Sequence, residues 1–541
     1  MSPVATQRLP LHAERPRAAP PQRAPVRARR PVEPLAVWLV AFAAYFAAGL
    51  WTTLHLDLIL GDAQSRLLHA YDVFHNSPAK LTAIGFYWPP VQTLILLPFA
   101  IVKPLATSLV ALPLVTAIFG GLLLVVVDRA LTLAQVRRVP RLALVAAFGL
   151  NPMIVFYSVN GMAELPYLFV LALGLYLLVR WERRPHWADV PLLGVVFAVG
   201  VLSRYEVGFW VPLVALAVIT TQRRRGARLE QMESSVVTLL APVTYALLLW
   251  SFMSWTITGS PTTWLTDLIP ASAPNAGPAH PLAPLTGLRI AVGEQLGLFP
   301  LTFLVVPFVY GVAVRRRSSV GVALAFALIV NLASELAILA GTRSTTYLEL
   351  RYNMRGLPVA MIALAWLLAA LPARRRTQAA LAATAAIVLT YPVTAYTMHR
   401  SNLGQDRVFV DALLHGTKSP TRSSTLQERD FAHYIRTNIH GKDVILTDDS
   451  DTFGVVLFDG DPTRYLDRVD FGDKTWYEIR DAVLRAHRPV SPVRYLLVYR
   501  GTSLNGDQLG VAAPYLATLQ GLPSWVTPVR VSHDYALYRL R

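Results

Sequence analysis

Long apolar runs separated by short polar segments fill the chain up to about residue 397. An α-helix needs ~20 residues to cross the hydrocarbon core of a bilayer, and most of the runs approach that length. The runs occupy residues 35–55, 106–127, 141–158, 164–180, 188–203, 207–221, 235–255, 296–313, 319–341, 355–371 and 378–396. The pattern therefore predicts an α-helical polytopic membrane protein with about 11 spans.

After residue 398 the pattern becomes that of a small α/β domain of soluble composition. Val444–Thr447 and Tyr495–Val498 are short apolar runs typical of buried strands, whereas Phe431–Asn438 and Trp476–Ala486 are predicted to be helices. Val529–Leu537 roughly alternates apolar and polar residues, which predicts one closing strand.

Composition supports a membrane protein. Of 541 residues, 54% are hydrophobic and 15% are charged, against about 25% charged in a soluble globular chain. The net charge of +17 would favour nucleic-acid binding if the basic residues formed one soluble surface, but they lie in short clusters between apolar runs. We therefore predict no nucleic-acid partner. The chain has no cysteine, which excludes disulfides and thiolate metal sites.

The basic clusters predict the topology, because loops on the cytoplasmic side of a membrane are enriched in Lys and Arg. The N-terminal tail is rich in arginine, and the later clusters are Arg129, Arg137, Arg138 and Arg141; Arg180, Arg183 and Arg184; Arg223, Arg224, Arg225 and Arg228; Arg315, Arg316 and Arg317; and Arg374, Arg375 and Arg376. All fall on one side only if Pro89–Val102 lies at the outer surface without crossing. We thus predict a multi-pass cell-membrane protein with a cytoplasmic N-terminus and an extracytoplasmic C-terminal domain.

The predicted organisation has three parts. Residues 1–33 form a disordered basic cytoplasmic tail, 34–397 a transmembrane domain, and 398–541 the extracytoplasmic α/β domain. Within the transmembrane domain, 56–105 and 256–295 are the large outside loops.

The first outside loop carries the most informative polar residues. Gly61-Asp62 has the character of a helix start, and Asp62 and Arg66 would be i,i+4 neighbours able to pair. The residues expected on the apolar face of this helix are Ala63, Leu67 and Ala70. On composition alone, Asp62 is equally consistent with a capping residue of a short helix on the membrane surface.

An acidic residue just after the first span, a surface helix and a Pro-Pro segment together resemble the GT-C superfamily of membrane glycosyltransferases. The pattern is similar to family 39 and the aminoarabinose transferase-like branch. Gly61-Asp62-Ala63 stands where those enzymes have Asp-Glu, and Tyr87-Trp88-Pro89-Pro90-Val91 stands for their Pro-Pro-Leu motif. Two further matches are Asn151-Pro152 with Glu164 opening the next span, and Arg351-Tyr352 followed by Leu357-Pro358.

The resemblance implies an enzyme that transfers a sugar from a polyprenyl-phosphate donor to an extracytoplasmic glycan, lipid or protein, with inversion at the anomeric carbon. Asp57 or Asp62 would be the general base. Cationic and hydrogen-bonding groups would meet the charge of the lipid-phosphate leaving group. The candidates for contacts with the donor are Arg351, Tyr352, Arg204, Glu206, Lys80, Arg66, His75 and Arg343. Each cation is equally consistent with an interfacial anchor, and Ser203-Arg204-Tyr205-Glu206 with a self-satisfied turn.

No cofactor is predicted. The chain contains no phosphate-binding loop and no dinucleotide fingerprint, which suits a donor that arrives in the lipid phase. Asp448-Asp449-Ser450-Asp451 lacks the Gly and distal Glu of a calcium loop, so no metal site is recognised, although a weakly bound divalent cation is compatible with these acids.

Functions of three further classes are compatible with the sequence. A transporter or flippase of a lipid-linked glycan would also be polytopic, and so would a polysaccharide polymerase or ligase. A catalytically silent relative of the glycosyltransferases is the third, because Ala63 replaces the second acid of their motif.

Overall fold

The computed structural model describes residues 32–77, 79, 81–86, 88–266, 284–342, 350–401, 404–415, 422–468, 473–501 and 507–541. Its N-terminal part is helical. The helices are α1 Val32–Leu50, α2 Gly61–His75, α3 Pro90–Ala100, α4 Lys103–Thr107, α5 Ala111–Leu133, α6 Arg138–Gly149, α7 Pro152–Val159, α8 Glu164–Arg183, α9 Asp189–Ser203, α10 Trp210–Arg224, α11 Leu229–Thr258, α12 Thr263–Thr266, α13 Pro284–Leu298, α14 Leu301–Arg315, α15 Ser319–Thr342, α16 Leu350–Asn353, α17 Gly356–Ala370 and α18 Ala373–His399.

Among the described residues, seven helical segments are long and apolar enough to cross a membrane. They are Val32–His55, Ala111–Leu133, Glu164–Arg183, Tyr205–Arg224, Leu229–Thr258, Leu350–Ala370 and Ala373–His399. Two bent pairs raise the number to nine: α6 with α7, at 66°, and Leu285–Leu298 with α14, at 95°.

Each of the predicted apolar runs falls on one helix or on two consecutive helices, and one of them, Asp189–Ser203, is a shorter apolar helix of 15 residues. The figure of about 11 spans is therefore approximate, because hydropathy finds an apolar helix without fixing how it bends or how much of the bilayer it covers. The segment assigned to the outer surface forms α3, whose 11 residues reach about 16 Å. That is too short for a straight helix to cross the hydrocarbon core.

The C-terminal part combines helices with a five-stranded sheet. Its elements are α19 Gly404–His415, α20 Arg422–Asn438, β1 Val444–Thr447, α21 Asp449–Asp459, β2 Tyr465–Asp467, α22 Lys474–Ala486, β3 Val493–Tyr499, α23 Gln508–Ala512, α24 Pro514–Thr518, β4 Val526–Val531 and β5 Tyr535–Leu540. The strand order is β2-β1-β3-β5-β4. Strand β1 runs parallel to β2 and β3, while β5 is antiparallel to β3 and β4.

The prediction of one closing strand over Val529–Leu537 is wrong. The chain turns between β4 and β5, where the Ser532 amide donates a hydrogen bond to the Tyr535 carbonyl at 2.8 Å. The two strands then pair antiparallel, with Arg530 opposite Leu537. A rough alternation of apolar and polar residues can continue through a short turn, so the pattern alone did not reveal the hairpin.

The two faces of the sheet are buried against different partners, because successive side chains of a strand point to opposite faces. One face packs with Trp476 of α22 through Leu446, Leu496, Val498, Ala536 and Tyr538. The other face joins the core that includes the membrane helices, through Ile445, Leu497 and Leu537. The C-terminal domain is therefore packed onto the helical part as one continuous core.

Helix α2 forms much of this junction. The His69 Nε2 and Asp449 Oδ2 atoms are 3.0 Å apart, and the Tyr71 hydroxyl donates to the Gly460 carbonyl at 2.9 Å. Near the start of α2, Gly61 lies under the ring of Phe453, where an added Cβ would be 3.1 Å from the Cζ atom. These contacts fix the position of α2 between the membrane helices and the C-terminal domain.

Candidate functional site

The candidate site lies at the N-terminal end of α2. The helix begins at Gly61, as predicted, and its apolar face of Ala63, Leu67 and Ala70 is fully buried. The carboxylate of Asp62 is half-buried and accepts a hydrogen bond from Arg351 Nη1 at 2.9 Å. Asp62 is not the cap of α2, because the cap position is Leu60 and no side chain caps the helix.

Arg66 does not form the predicted hydrogen bond with the Asp62 carboxylate. Its Nη1 donates to the main-chain carbonyl of Asp62 at 3.3 Å, and its guanidinium lies 4.1 Å from the centre of the Trp88 ring. Arg351, which is distant in the sequence, donates the hydrogen bond to this carboxylate instead. Helical spacing of four residues places two side chains near each other, but it does not determine which residue forms the hydrogen bond in the folded chain.

A second acidic residue, Glu164, lies behind these arginines at the start of α8. Its side chain is buried, and Oε1 accepts a hydrogen bond from Arg204 Nη2 at 2.7 Å. The same oxygen is 4.0 Å from Arg351 Nε. Arg204 also donates to Glu206 at 3.4 Å. Arg204 and Glu206 thus pair within their turn, and Arg204 also joins a network that crosses helices through Glu164.

Aromatic rings enclose the charged groups. The guanidinium groups of Arg204 and Arg351 lie 5.2 Å and 5.4 Å from the centre of the Tyr352 ring. Arg204 is also 5.7 Å from the Tyr167 ring. Such rings attract cations electrostatically and exclude water, which strengthens the ionic interactions inside the cluster.

The pKa values of Asp62 and Arg66 reflect this environment. Burial by itself raises the pKa of the Asp62 carboxyl, but the charges of Arg351 and Arg66 outweigh burial and hold the pKa below its ordinary value. Burial lowers the pKa of the Arg66 guanidinium, against the opposing charges of Asp62 and Glu164. The cluster therefore keeps Asp62 ionised, and Asp62 is more exposed than the arginines that surround it.

Arg355, four residues after Arg351, is fully buried nearby. Its Nε donates to the Tyr352 carbonyl at 2.6 Å, and its guanidinium is 5.7 Å from the centre of the Trp210 ring. Its terminal nitrogens form no hydrogen bond of standard geometry with the described residues, but the Tyr167 hydroxyl lies beside them. A buried guanidinium is stabilised by an anionic partner.

Two of the predicted site residues lie apart from the cluster. Asp57 has a left-handed backbone, with φ of 51°, and its carboxylate lies 3.4 Å from Arg422 Nε and 3.9 Å from Arg429 Nη1 of α20. His75 is at the far end of α2, where its Nε2 is 3.1 Å from the Ala100 carbonyl oxygen. Lys80 and Arg343 lie outside the described residues.

Glu164 and Arg355 were not selected as site residues from the sequence. The available signal for Glu164 was an acid at the start of an apolar run, where burial of a charge is costly unless a partner compensates it. For Arg355 the available signal was its position among the few arginines predicted to face the outer side.

Within the described ranges, no group of three or more His, Asp or Glu residues is arranged to hold a metal ion.

Solved structures with the same architecture exist. ArnT from Cupriavidus metallidurans bound to undecaprenyl phosphate matches with a TM-score of 0.57 and 13% identity, over 93% of this chain and 97% of that chain. The same protein in the apo state matches with a TM-score of 0.55 and 14% identity, over 93% and 98%. The chain has the ArnT fold.

The fold expected from the resemblance is therefore confirmed. The chain is accordingly a multi-pass membrane protein with a small C-terminal sheet. No protein-family model matches the chain, and no curated protein sequence matches it significantly.

Proposed function

We propose that this chain is a membrane glycosyltransferase that moves a sugar from a polyprenyl-phosphate donor to an acceptor outside the cytoplasm. The observation that carries the proposal is the Asp62–Arg351 pair, at 2.9 Å, in a partly open cluster of guanidinium groups. The ArnT fold supports it, because ArnT has been solved with undecaprenyl phosphate bound. That ligand has the same chemistry as the leaving group of the proposed reaction.

In the proposed reaction the bond between the anomeric carbon and the phosphate oxygen breaks. The phosphate leaves with the electron pair, and the acceptor oxygen attacks the anomeric carbon from the opposite side. Asp62 takes the proton of the acceptor hydroxyl. Arg351, Arg204 and Arg355 stabilise the negative charge that grows on the departing phosphate.

The contact between Asp62 and Arg351 suggests how donor binding prepares the base. The phosphodiester of the donor carries one negative charge and forms strong bidentate hydrogen bonds with guanidinium groups. A bound phosphate would draw Arg351 away from Asp62, and loss of that neighbouring charge raises the pKa of the carboxyl. Asp62 thereby becomes a stronger base only when the donor is present.

Glu164 has a positioning role in this scheme. It holds Arg204 at 2.7 Å and approaches Arg351 at 4.0 Å, so both guanidinium groups stay beside Asp62 when no donor is bound. Without Glu164 the cluster would concentrate positive charge in a buried region, which is energetically costly.

The test is transfer of radiolabelled sugar from a panel of polyprenyl-phosphate donors, in membranes containing wild type, Asp62→Asn or Asp57→Asn. Asp62→Asn should lower transfer by at least about 100-fold, the contribution of a positioned general base. Asp430→Asn is the matched control, since this exposed carboxylate of α20 pairs with Arg530. Equal loss in the control would mean that the assay reports folding only.

Three other results would each favour a different assignment. If Asp57→Asn abolishes transfer and Asp62→Asn does not, the base is at the junction with α20. If wild type binds polyprenyl phosphate but transfers no sugar from any donor, the chain is a silent relative. Movement of an intact lipid-linked glycan across the membrane, without transfer, would establish the flippase.

A further inference from the structure

Three arginines converge on the C-terminal end of α17, far from Asp62. Helix α17 begins beside Arg355 of the candidate site, and the span Leu350–Ala370 is about 30 Å long. A helix of that length reaches from one surface of the hydrocarbon core to the other. The basic clusters of the sequence predict that the end at Ala370 lies on the cytoplasmic side.

The end of α17 has carbonyl groups that need donors from elsewhere. The last four carbonyls of an α-helix have no partner within the helix. Pro372, which follows the cap residue Leu371, has no N–H to offer them. Arg376, in the first turn of α18, supplies two of the donors. Its Nη2 donates to the Leu371 carbonyl at 3.1 Å, and its Nε donates to the Leu368 carbonyl at 3.2 Å.

Two further arginines reach the same carbonyls from other helix ends. Arg183, the last residue of α8, donates from Nη2 to the Trp366 carbonyl at 3.2 Å. Arg316, which follows α14, donates from Nη2 to the Ala370 carbonyl. Arg183 lies close enough to Arg316 and Arg376 for both of their charges to act on it. Arg183, Arg316 and Arg376 thus form one group, the α17 arginine cluster.

The positive charge of the α17 arginine cluster exceeds the negative charge beside it. Glu182 is the carboxylate whose charge acts on Arg183, but its oxygens accept hydrogen bonds from Ser318 and, at 2.9 Å, from Trp366 Nε1. Among the described residues, none of the three guanidinium groups forms an ion pair. The C-terminus of α17 adds about half a negative charge, so an excess of about 1.5 positive charges remains.

The cluster has the donors that a phosphate group requires. A guanidinium carries five N–H groups and binds phosphate oxygens through paired hydrogen bonds. Arg183 and Arg316 each donate only one hydrogen bond to the described residues. Arg316 is exposed, and Arg183 and Arg376 are half-buried. A phosphate can therefore reach the cluster without displacing the bonds that hold it to α17.

The surroundings favour a lipid as the source of the phosphate. Val314 and Leu381, in the helical turns next to Arg316 and Arg376, are apolar and about half exposed. Acyl chains can cover such side chains while the headgroup lies at the arginines. Basic pockets between membrane helices on the cytoplasmic side bind anionic headgroups in this way.

We propose that the α17 arginine cluster binds the phosphate of an anionic phospholipid in the leaflet predicted to be cytoplasmic. The site lies at the opposite surface from Asp62 and does not depend on the proposed transferase function. Its ligand neutralises the excess charge and is bound by the folded chain alone, so it raises the free energy of unfolding.

Thermal unfolding in nanodiscs of two compositions tests the proposal. We expect the Tm of wild type to be a few degrees higher in phosphatidylglycerol than in phosphatidylcholine. Arg183→Gln and Arg316→Gln should each remove at least half of this difference. Loss of a hydrogen bond to α17 lowers the Tm in both lipids, so the difference between the lipids reports the site and not the cap.

The matched controls are Arg315→Gln and Arg375→Gln. Both arginines are exposed neighbours of the cluster, and both changes remove the same charge from the same surface. They should leave the difference between the two lipids as it is in wild type. Native mass spectrometry provides a second measurement, since Arg316→Gln should retain one phosphatidylglycerol fewer than Arg315→Gln does.

Three results would overturn the proposal. The absence of a difference between the lipids in wild type would mean that the cluster binds no headgroup. An equal loss of the difference in the cluster variants and in their controls would indicate diffuse attraction to the surface. Inorganic phosphate added to phosphatidylcholine nanodiscs separates the two sources of phosphate. If it stabilises wild type as phosphatidylglycerol does, and fails in Arg316→Gln, the ligand is a soluble anion and not a lipid.

Discussion

The two ends of α2 differ in how their charged groups are satisfied. At the N-terminal end, Asp62 and Glu164 accept hydrogen bonds from Arg351 and Arg204 within 2.9 Å. At the C-terminal end, the side chain of Asp459 is as deeply buried as that of Glu164, but its nearest arginine nitrogen is 3.6 Å away and the Tyr465 hydroxyl lies beside it. Both ends combine carboxylates with guanidinium groups, so composition does not explain the difference.

The contrast bears on ligand binding. A ligand at the N-terminal end must exchange an existing ion pair for a new one, which couples its binding to the pKa of Asp62. The side chain of Asp62 is 28% exposed, whereas that of Asp459 is fully buried. Only the N-terminal end therefore offers an ion pair that a ligand can reach.

The strongest test of the N-terminal cluster is removal of its buried acid. Glu164→Gln leaves Arg204 and Arg351 without their shared counter-charge, and loss of one partner of a buried pair costs about 3–5 kcal/mol. We expect a decrease in the free energy of unfolding of that order and a transfer rate at least about 100-fold lower. Thermal unfolding in nanodiscs and the transfer assay measure the two effects.

Glu206→Gln is the matched control for this change, because Glu206 contacts Arg204 at the longer distance of 3.4 Å and is more exposed than Glu164. Its effects should be several-fold smaller. Equal effects of Glu164→Gln and Glu206→Gln would contradict the view that Glu164 organises the cluster.

The buried guanidinium of Arg355 predicts a defect in donor binding. Arg355→Gln removes a buried cation that we assign to the phosphate, so the KM for the polyprenyl-phosphate donor should rise about tenfold, or ~1.4 kcal/mol. The exposed Arg289 offers a control, as Arg289→Gln changes the net charge equally. An unchanged donor KM in a folded Arg355→Gln variant would remove Arg355 from the phosphate site.

A pH profile tests the coupling between Arg351 and Asp62. Arg351 lowers the pKa of the Asp62 carboxyl against the effect of burial, so Arg351→Gln should raise that pKa. A base is active when deprotonated, and the acidic limb of kcat/KM against pH should therefore move to higher pH by about one unit. An acidic limb at the wild-type position would show that Asp62 is not the titrating base.

Much of this architecture was accessible from periodicity. Apolar runs located the membrane helices, and Gly61-Asp62 located the start of α2, because both features depend on residues close in sequence. The hairpin at β4 and β5 and the bends between paired helices depend on turns within continuous patterns. They could not be inferred from hydropathy alone.

The site was predictable only in part, for a related reason. Asp62, Arg204 and Arg351 were selected individually, but the contact between Asp62 and Arg351 joins residues 289 positions apart. Local spacing favoured Arg66 as the partner of Asp62, and the fold supplied a different arginine. The α17 arginine cluster was not anticipated, because it exists only where the ends of α8, α14 and α17 meet.

A buried contact between the first turn of α2 and α20 gives the smallest expected effect. Glu428 of α20 accepts hydrogen bonds there from the Tyr535 hydroxyl at 3.0 Å and from Gln64 at 3.4 Å, and burial raises its pKa to about 7. A carboxyl with a raised pKa binds its proton more tightly in the folded state than in the unfolded state. The free energy of unfolding therefore falls as the pH rises from 4.5, the ordinary pKa of this group, to about 7. Glu428→Gln should remove this contribution and raise the Tm by a few degrees above pH 7.

Thermal unfolding from pH 5 to pH 8 measures this contribution, with Asp430→Asn as the control on the same helix because Asp430 is exposed. The wild-type and Asp430→Asn curves should fall together with rising pH, and the Glu428→Gln curve should fall less. If all three curves have the same slope, Glu428 is already ionised in the folded state. Glu428 would then resemble Glu164 in the neighbouring cluster, a buried carboxylate that accepts a hydrogen bond from Arg204.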